Sequence, residues 1–290
     1  MRSSTRGNVD PFIVMDVMEA ARAAEDAGRS IIHMEVGQPG TGAPIAALAA
    51  LKADLETPLG YTVGLGLPAL RRRVVVTAGA SGAFVLAFSA LFDNGERVGL
   101  GLPCYPSYRQ ILKAMGLQPV EIETRARGRY QPQPEDIAAH DLAGLIVACS
   151  ARDAALISDE IYHGIGYGTR AVSALEVTQD TYVINSFSKY FSMTGWRCGW
   201  MVVPQDHVRT VERLAQNMFI CASHASQRLS LHAMDCRDEL DANLSVYQAN
   251  RTLLLDGLAQ AGFDTIAPPD GAFYIYADIS AHSDDSRAMA

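Results

Sequence analysis

The chain has 290 residues, 49% of them hydrophobic, and a formal net charge of −8 at pH 7. This length suffices for one large or two medium-sized domains with a buried core, and no apolar run approaches the roughly 20 residues that span a bilayer. The negative charge disfavours nucleic acid and anionic membranes as partners, and the five scattered cysteines lack the spacing of metal ligands, so we expect a cytoplasmic protein that acts on small molecules without a metal.

The first predicted elements are a helix and a short strand. Residues 12–29 carry apolar side chains at helical spacing, and Gly28 is a natural stop. Residues 31–36 are β-like and end at a loop that begins with Gly37 and contains a proline.

Strand-like and helix-like segments alternate through the middle of the chain. Helices are predicted at residues 82–92 and 105–115. Strands are predicted at residues 74–77, 97–101, 119–123, 143–149, 155–159, 182–185 and 199–203. Several of these strands are continuous apolar runs, as expected where helices cover both faces of a largely parallel sheet. We therefore predict the α/β class, with a mostly parallel seven-stranded sheet sandwiched by helices.

The C-terminal part predicts a second, smaller domain. Residues 224–261 are helix-like with little interruption, and a turn at Pro268 and Pro269 leads into a predicted strand at residues 272–276. We expect the long helix to connect a large domain, residues 44–250, to a smaller α+β domain formed by residues 1–43 and 251–290.

Two junctions conflict with this topology. Parallel neighbouring strands need a crossover of about a dozen residues or more, yet only residues 150–154 separate the predicted strand at 143–149 from the next one. Similarly, a predicted helix that ends at Arg73 runs into the strand at Val74 without a turn residue. We therefore expect internal segments to be absent at the Arg73/Val74 and Ser150/Ala151 junctions.

The most informative lysine lies in residues 186–200, which read SFSKYFSMTGWRCGW and follow a predicted strand. A lysine forms an imine only as the neutral amine, so burial and nearby positive charge must lower its pKa. Lys189 meets that requirement, because it follows a buried strand and precedes Arg197. Ser186, Ser188 and Arg197 can together hold a phosphate through hydroxyl groups and a guanidinium.

An acidic residue ends a second predicted strand, in residues 157–163, which read ISDEIYH. Pyridoxal phosphate works as an electron sink when its ring nitrogen stays protonated, which a buried carboxylate enforces. Asp159 is the candidate for that carboxylate. Tyr162 can reach the phenolic oxygen of the ring if the strand ends in a turn there.

A run of small residues, TAGASGA at residues 77–83, follows a third predicted strand and opens a helix. Backbone N–H groups at such a helix start bind phosphate, assisted by the helix dipole. Gly79, Ala80 and Ser81 are therefore phosphate-binding candidates, although the pattern alone has little specificity.

Together these segments resemble the fold-type I pyridoxal-phosphate-dependent aminotransferases, specifically the class I/II group that includes aspartate and aromatic aminotransferases. The S-x-S-K…G-x-R-x-G-W and S-D-E-I-Y patterns carry the resemblance, which extends from EVGQP at residues 35–39 to DGAFY at residues 270–274. It implies a homodimer with shared active sites that moves an amino group between an amino acid and a 2-oxo acid through a Lys189 Schiff base.

The same resemblance implies a role for each candidate residue. Lys189 would carry the Schiff base to pyridoxal 5′-phosphate and shuttle the substrate α-proton, Asp159 would pair with the pyridine nitrogen, and Tyr162 would bond the phenolic oxygen. The phosphate cup would consist of Gly79, Ala80, Ser81, Ser186 and Arg197.

Three further roles are implied for residues outside these segments. Tyr105, within PCYP at residues 103–106, would stack on the cofactor ring. Tyr61 would reach the phosphate of the cofactor in the neighbouring subunit. Gly37 would lie beside the substrate carboxylate.

The sequence departs from the family pattern at positions that contact cofactor and substrate. The N-P-x-G segment, whose asparagine bonds the phenolic oxygen, is expected at the Ser150/Ala151 junction and is absent. The arginine that holds the substrate α-carboxylate is expected well beyond Tyr276, and Arg287 comes too early to match it.

Two other functions use the same residues. A β-elimination or C–S lyase reaction would employ the same lysine and differ only in how the carbanion collapses. A non-catalytic aminotransferase-like module that binds the cofactor is the second alternative, and the retention of lysine, aspartate and arginine together argues against it.

Overall fold

The structure is a computed structural model and describes residues 4–71, 74–124, 130, 142–168, 170–285 and 289. The α-helices of the described residues are α1 (Ile13–Asp26), α2 (Ile45–Asp54), α3 (Pro68–Arg71), α4 (Gly79–Leu91), α5 (Ser107–Met115), α6 (Leu142–Ser150), α7 (Val208–Met218), α8 (His224–Ala233) and α9 (Arg237–Gln260). The strands are β1 (Val75–Thr77), β2 (Arg97–Leu102), β3 (Gln118–Glu123), β4 (Ile157–Asp159), β5 (Tyr182–Ser186) and β6 (Gly199–Val202). Short 3-10 helices occupy Thr5–Gly7, Ala174–Glu176 and Thr194–Trp196.

Four strands form one sheet in the order β1-β6-β5-β4, and β2 and β3 form a separate parallel pair. β4 is parallel to β5, whereas β6 is antiparallel to both of its neighbours. β6 is therefore the one reversed strand of the four. The predicted α/β class is confirmed, but the described residues form these two sheets and not one seven-stranded sheet.

Residues 143–149 account for much of this difference, because they lie in helix α6 and not in the predicted strand. A strand there would have to return to a parallel position beside β4 through a connection that is too short for a crossover. A helix satisfies its backbone hydrogen bonds internally and needs no neighbouring strand. None of the described α6 residues is buried, and Val147 is 68% exposed.

The four-stranded sheet has an apolar core on both faces. Val75 belongs to one buried cluster and the next residue, Val76, belongs to the other, as the alternation of side chains along a strand requires. Helix α4 packs against β5, β6 and α7, and it buries Leu86 and Phe88. Each such side chain contributes about 1.5–3 kcal/mol through removal of apolar surface from water. Helices α2 and α8 pack against each other in the second cluster.

Three other expected elements differ in the structure. Residues 31–36 form no strand, and around residues 272–276 only the isolated bridges Gly166–Gly271 and Ile266–Ala277 are present. The helix expected over residues 224–261 is divided into α8 and α9. Asp238 and Glu239 lie in the first turn of α9. Acidic side chains stabilise the positive end of the helix dipole, so a helix start at this point is favoured.

The expected domain boundary at residue 250 falls within α9, and the division into two domains stays a prediction. Among the described helices, none combines the length and the apolar composition needed to cross a bilayer.

Candidate active site

The ends of three strands bring the predicted site segments to one edge of the four-stranded sheet. Because β6 is reversed, its first residue Gly199 lies opposite both Thr77, which ends β1, and Ser186, which ends β5. Asp159 is the last residue of β4, which runs parallel to β5. The carboxyl ends of parallel strands are where α/β proteins place their ligand sites.

The start of helix α4 forms a direct backbone contact with β6. Gly79 has a φ of +72°, in the left-handed region that favours glycine. A Cβ atom on Gly199 would lie 2.8 Å from the carbonyl carbon of Gly79 and 3.0 Å from the nitrogen of Ala80. The first N–H groups of a helix have no partner within the helix, so this junction places donors for an anion at the sheet edge, with Ser81 next in the turn and exposed.

Arg197 lies beside this helix start. A Cβ atom on Gly79 would lie 2.5 Å from Arg197 Nη2, so the guanidinium fills the space next to the glycine. Arg197 Nη1 also donates to the carbonyl oxygen of Thr194 at 2.9 Å. A positive charge and free helix N–H groups therefore meet where the sequence predicted a phosphate.

The two serines before the lysine are buried and bonded to each other. Ser186 Oγ donates to the carbonyl oxygen of Cys198 at 3.0 Å, and Ser188 Oγ lies 2.8 Å from Ser186 Oγ. Because the Ser186 proton is directed to Cys198, Ser188 is the donor in the serine pair. These bonds stabilise the turn that carries Lys189, and the predicted phosphate contacts of the serines stay predictions.

The amine of Lys189 lies among aromatic rings. Its Nζ donates to the carbonyl oxygen of Gly37 at 2.5 Å, and it is 5.4 Å from the ring centroids of both Tyr162 and Phe273. The structure therefore brings together Lys189, Tyr162 and Gly37, which the sequence analysis placed in one site.

The surroundings of Lys189 favour its neutral form. Burial lowers the pKa of the Lys189 amine, the Asp159 carboxylate opposes this shift, and the positive charge of Arg197 lowers the pKa further. A lower pKa increases the fraction of neutral amine near neutral pH. This is the state that attack on a carbonyl carbon requires.

The carboxylate of Asp159 accepts two hydrogen bonds. Oδ2 accepts from the Tyr108 hydroxyl, and Oδ1 accepts from the backbone N–H of Ile161 at 3.0 Å. Desolvation raises the pKa of Asp159, whereas the bonds from Tyr108 and Ile161 lower it. The residue is nevertheless exposed, so partial desolvation, and not complete burial, causes the upward shift.

Tyr162 contacts two further aromatic rings. Its ring packs edge-on against Phe273, with centroids 5.6 Å apart, and against Tyr274, with centroids 5.5 Å apart. Burial raises the pKa of Tyr162 above its usual value. The phenol therefore stays protonated at neutral pH and can donate a hydrogen bond.

The other two predicted tyrosines are more exposed. Tyr105 is 47% exposed, and its ring packs edge-on against Tyr108 and Phe12. It therefore adjoins the residue that bonds Asp159. Tyr61 is 84% exposed, so its side chain is available to another molecule.

Two residues in this region were not found by the sequence analysis. Tyr108 lies in the first turn of α5, three residues after Tyr105, and no pattern in the neighbouring sequence marks it as a partner of Asp159. Glu160 follows Asp159 and is buried. Among the residues that the structure describes, no group of three His, Cys, Asp or Glu side chains could hold a metal ion.

Known proteins with this arrangement identify the family. The model of the family aminotransferase class I and II matches residues 132–290, more than half of the chain. The valine–pyruvate aminotransferase of Mycobacterium tuberculosis is 41% identical, over 99% of this chain and 86% of its own length. The chain belongs to the class I and II aminotransferases.

Solved structures agree with this assignment. A structure from Silicibacter pomeroyi is 57% identical, has a TM-score of 0.93, and is matched over 100% of this chain and 86% of that one. An aminotransferase from Mycobacterium tuberculosis is 40% identical with a TM-score of 0.95, over 100% and 86% of the two chains. The expected family and fold are confirmed, and this aminotransferase moves an amino group between an amino acid and a 2-oxo acid.

The relative from Mycobacterium tuberculosis contains residues with no counterpart in the 290-residue sequence. The alignment runs over 333 positions, at least 43 more than the 290 residues, so it contains gaps. That the missing segments belong at the two expected junctions stays a prediction. Across the Ser150/Ala151 junction the backbone continues without a break, and Ala151 N donates to the carbonyl oxygen of Val147 at 2.9 Å. Arg73 and Arg287 lie outside the described residues.

Proposed function

We propose that this aminotransferase holds pyridoxal 5′-phosphate at the sheet edge, with Lys189 as its covalent anchor. The position of Lys189 carries the proposal, because its amine has a lowered pKa and lies beside Tyr162, Gly37 and the charge of Asp159. Family membership supports it, since class I and II aminotransferases use this cofactor.

The residues at the edge fit the chemical groups of the cofactor. The turn at Gly79, the start of α4 and the guanidinium of Arg197 suit a phosphate. The Asp159 carboxylate suits a protonated pyridine nitrogen, and the protonated phenol of Tyr162 suits a phenolic oxygen. Tyr105 would cover the ring from the cleft side, and Ala80, Ser81, Ser186 and Ser188 would complete the surroundings of the phosphate.

Three side chains would perform the proton chemistry. The cofactor, when bound, supplies an electron sink for the charge that develops at the substrate α-carbon. Lys189 Nζ, as the neutral amine, would accept the α-proton of the substrate and release it again. Asp159 would hold a proton at the ring nitrogen through its negative charge, and Tyr162 would donate a hydrogen bond to the phenolic oxygen. Gly37 would border the substrate carboxylate.

The substrate would be a neutral, apolar amino acid, with pyruvate as an amino acceptor. The valine–pyruvate specificity in the name of the 41% identical relative supports this proposal. The aromatic rings of Tyr162, Phe273 and Tyr274 near Lys189 support it as well, because such a surface favours an apolar side chain over a charged one.

The enzyme would act as a homodimer with shared active sites. The loop at residues 60–64 lies against the end of α7, since a Cβ atom on Gly64 would lie 2.7 Å from Gln216 Cγ. Large apolar side chains are exposed on both sides of this contact, namely Tyr61, Val63, Met218, Phe219 and Ile220. Large apolar side chains exposed on two neighbouring segments support an interface there. The expected cytoplasmic location stays a prediction.

The test of the proposed reaction is transfer of labelled nitrogen. Protein saturated with pyridoxal phosphate is given ¹⁵N-valine and pyruvate, and ¹⁵N-alanine is measured by mass spectrometry. Lys189→Ala is expected to abolish transfer, whereas Lys52→Ala, which changes an exposed lysine of α2, is expected to leave it unchanged. Transfer at the normal rate by Lys189→Ala would refute the proposal. In a parallel assay with cysteine and no keto acid, release of ammonia and hydrogen sulfide would favour the lyase reaction.

Shared sites are tested by mixing two impaired variants. In a heterodimer of Lys189→Ala with Tyr61→Ala, one site receives an intact lysine from one subunit and an intact Tyr61 from the other. The mixture is therefore expected to exceed the mean activity of the separate variants after subunit exchange. Activity equal to that mean would contradict the shared site.

A further inference from the structure

Glu160 is a buried carboxylate directly beside the candidate active site. It follows Asp159 at the end of β4, and it is only 5% exposed. A carboxylate removed from water in this way is costly unless hydrogen-bond donors replace the water. The hydrogen-bond partners of Glu160 therefore indicate its role.

The carboxylate oxygens of Glu160 accept three hydrogen bonds and make a fourth polar contact. Oε1 accepts from the backbone N–H of Ala174 at 2.8 Å, from Ser173 Oγ at 3.0 Å and from Ser158 Oγ at 3.3 Å. Oε2 lies 3.2 Å from His163 Nδ1. Two of these partners, Ser158 and His163, lie on either side of Glu160 in the chain, and the other two belong to the start of the 3-10 helix Ala174–Glu176.

This network connects the turn after β4 to a separate segment of the protein. The turn itself is short, because His163 N donates to the carbonyl oxygen of Glu160 at 2.9 Å. It presents Asp159 on one side of Glu160 and Tyr162 on the other. A displacement of the Glu160 carboxylate would therefore move both residues relative to Lys189.

We propose that Glu160 is a positioning residue that fixes Asp159 and Tyr162 for the transamination reaction, by anchoring their turn to Ser173 and Ala174. It makes no contact with Lys189 among the described residues, so it acts through its neighbours and not on the substrate. This inference rests on the proposed function, because it assigns Asp159 and Tyr162 to the cofactor ring.

The test uses three variants of the holoenzyme. Glu160→Met keeps the length of the side chain but removes every acceptor, and it is expected to lower kcat about tenfold or more, because catalysis depends steeply on geometry. The KM for the amino acid is expected to stay within about twofold, since the substrate contacts remain. Glu160→Gln retains one acceptor oxygen for Ser173 and Ala174 and is expected to recover most of kcat.

A spectroscopic readout separates positioning from general stability. The absorbance of the bound cofactor is measured as a function of pH, and Glu160→Met is expected to shift the midpoint of this titration. Glu212→Met is the control, because Glu212 accepts from Arg209 on α7 and shares no hydrogen bond with Ser173, Ala174 or the turn after β4. A titration of Glu160→Met equal to that of the wild type, or an equal displacement by Glu212→Met, would overturn the proposal.

Misfolding of Glu160→Met and failure of the wild-type protein to bind the cofactor can each be distinguished from a failure of the positioning role. If Glu160→Met does not fold, Ser173→Ala removes one donor to Glu160, and it is expected to displace the titration from that of the wild type; no displacement would overturn the proposal. If the wild-type protein binds no cofactor, the proposed function fails, and the positioning role fails with it.

Discussion

Tyr108 donates a hydrogen bond to the carboxylate of Asp159, and this bond joins helix α5 to the end of strand β4. The bond therefore links parts of the protein that belong to different sheets. Helix α5 follows β2, which pairs with β3, whereas β4 lies in the four-stranded sheet. Burial raises the pKa of Tyr108, and the charge of Asp159 raises it further. The phenol therefore remains a donor throughout the physiological pH range.

Replacing Tyr108 with phenylalanine is expected to weaken cofactor binding. The bond from Tyr108 lowers the pKa of Asp159, so its loss makes Asp159 take up a proton at higher pH. A hydrogen bond to a charged group contributes about 1 kcal/mol or more, which corresponds to about fivefold weaker binding. Cofactor affinity, measured by absorbance across a pH series, would show the loss. The decrease in affinity at acidic pH, which is the acidic limb of the profile, would begin at a higher pH than in the wild type.

The control for Tyr108→Phe is Tyr190→Phe, which removes the same kind of bond, from Tyr190 Oη to Asp241 Oδ1. That bond lies outside the cluster around Asp159. An unchanged acidic limb in Tyr108→Phe, or the same shift in both variants, would contradict the role given to the bond.

Replacing Gly199 with alanine is expected to destabilise the protein. The new Cβ atom would meet the backbone of Gly79 and Ala80 and would also lie 2.9 Å from the carbonyl oxygen of Asn185. Overpacking against atoms that cannot rotate away costs about 1–3 kcal/mol. The free energy of unfolding in urea measures this, and Gly195→Ala is the control because a Cβ there has nothing within 4 Å. Equal midpoints for the two variants would contradict the backbone contact.

Replacing Val147 with lysine is expected to be tolerated. Val147 is 68% exposed in α6, and substitutions at exposed positions usually change stability by less than about 0.5 kcal/mol. Val183→Lys is the matched comparison, because Val183 is 3% exposed in β5. A loss of stability in Val147→Lys as large as that in Val183→Lys would mean that residues 143–149 occupy a buried strand after all.

The pH dependence of Lys189 reactivity is a further expected property. Because the pKa of Lys189 is lowered, its neutral form appears at lower pH than in a free lysine side chain. Trapping with an aldehyde and borohydride, located by mass spectrometry, should therefore inflect at lower pH than trapping of Nα-acetyl-lysine. Arg197→Gln removes a positive charge that lowers this pKa, so the inflection should move to higher pH. An inflection at the value of the free amine would contradict the role of burial.

Much of the site was predictable from sequence because its signals are local. Gly79 opens a helix, Asp159 ends a strand, and Lys189 follows a strand, so each could be placed from residues next to it. Tyr108 and Glu160 could not be placed in this way. Their roles come from partners in other segments, Asp159 for one and Ala174 for the other.

The fold was predictable where pattern and connection agree. Residues 182–186 and 199–202 are largely apolar, and the segment between them is long enough to reverse the chain direction. They form the antiparallel neighbours β5 and β6. Residues 143–149 carry the same kind of apolar pattern, but the short connection to β4 excludes a parallel strand, and they form α6. A short apolar run is compatible with a strand or with a helix. The length of the segment that connects it to the next strand therefore decides which of the two forms.

The position of β6 determines when the site can be assembled during synthesis. β6 is the last of the four strands to be made, yet it lies between β1 and β5. Residues 75–77 must therefore wait for residues 199–201 to leave the ribosome before they gain their partner. Until then the backbone contact between Gly79 and Gly199 cannot form. Nascent chains that end before β6 consequently present open strand edges to their neighbours.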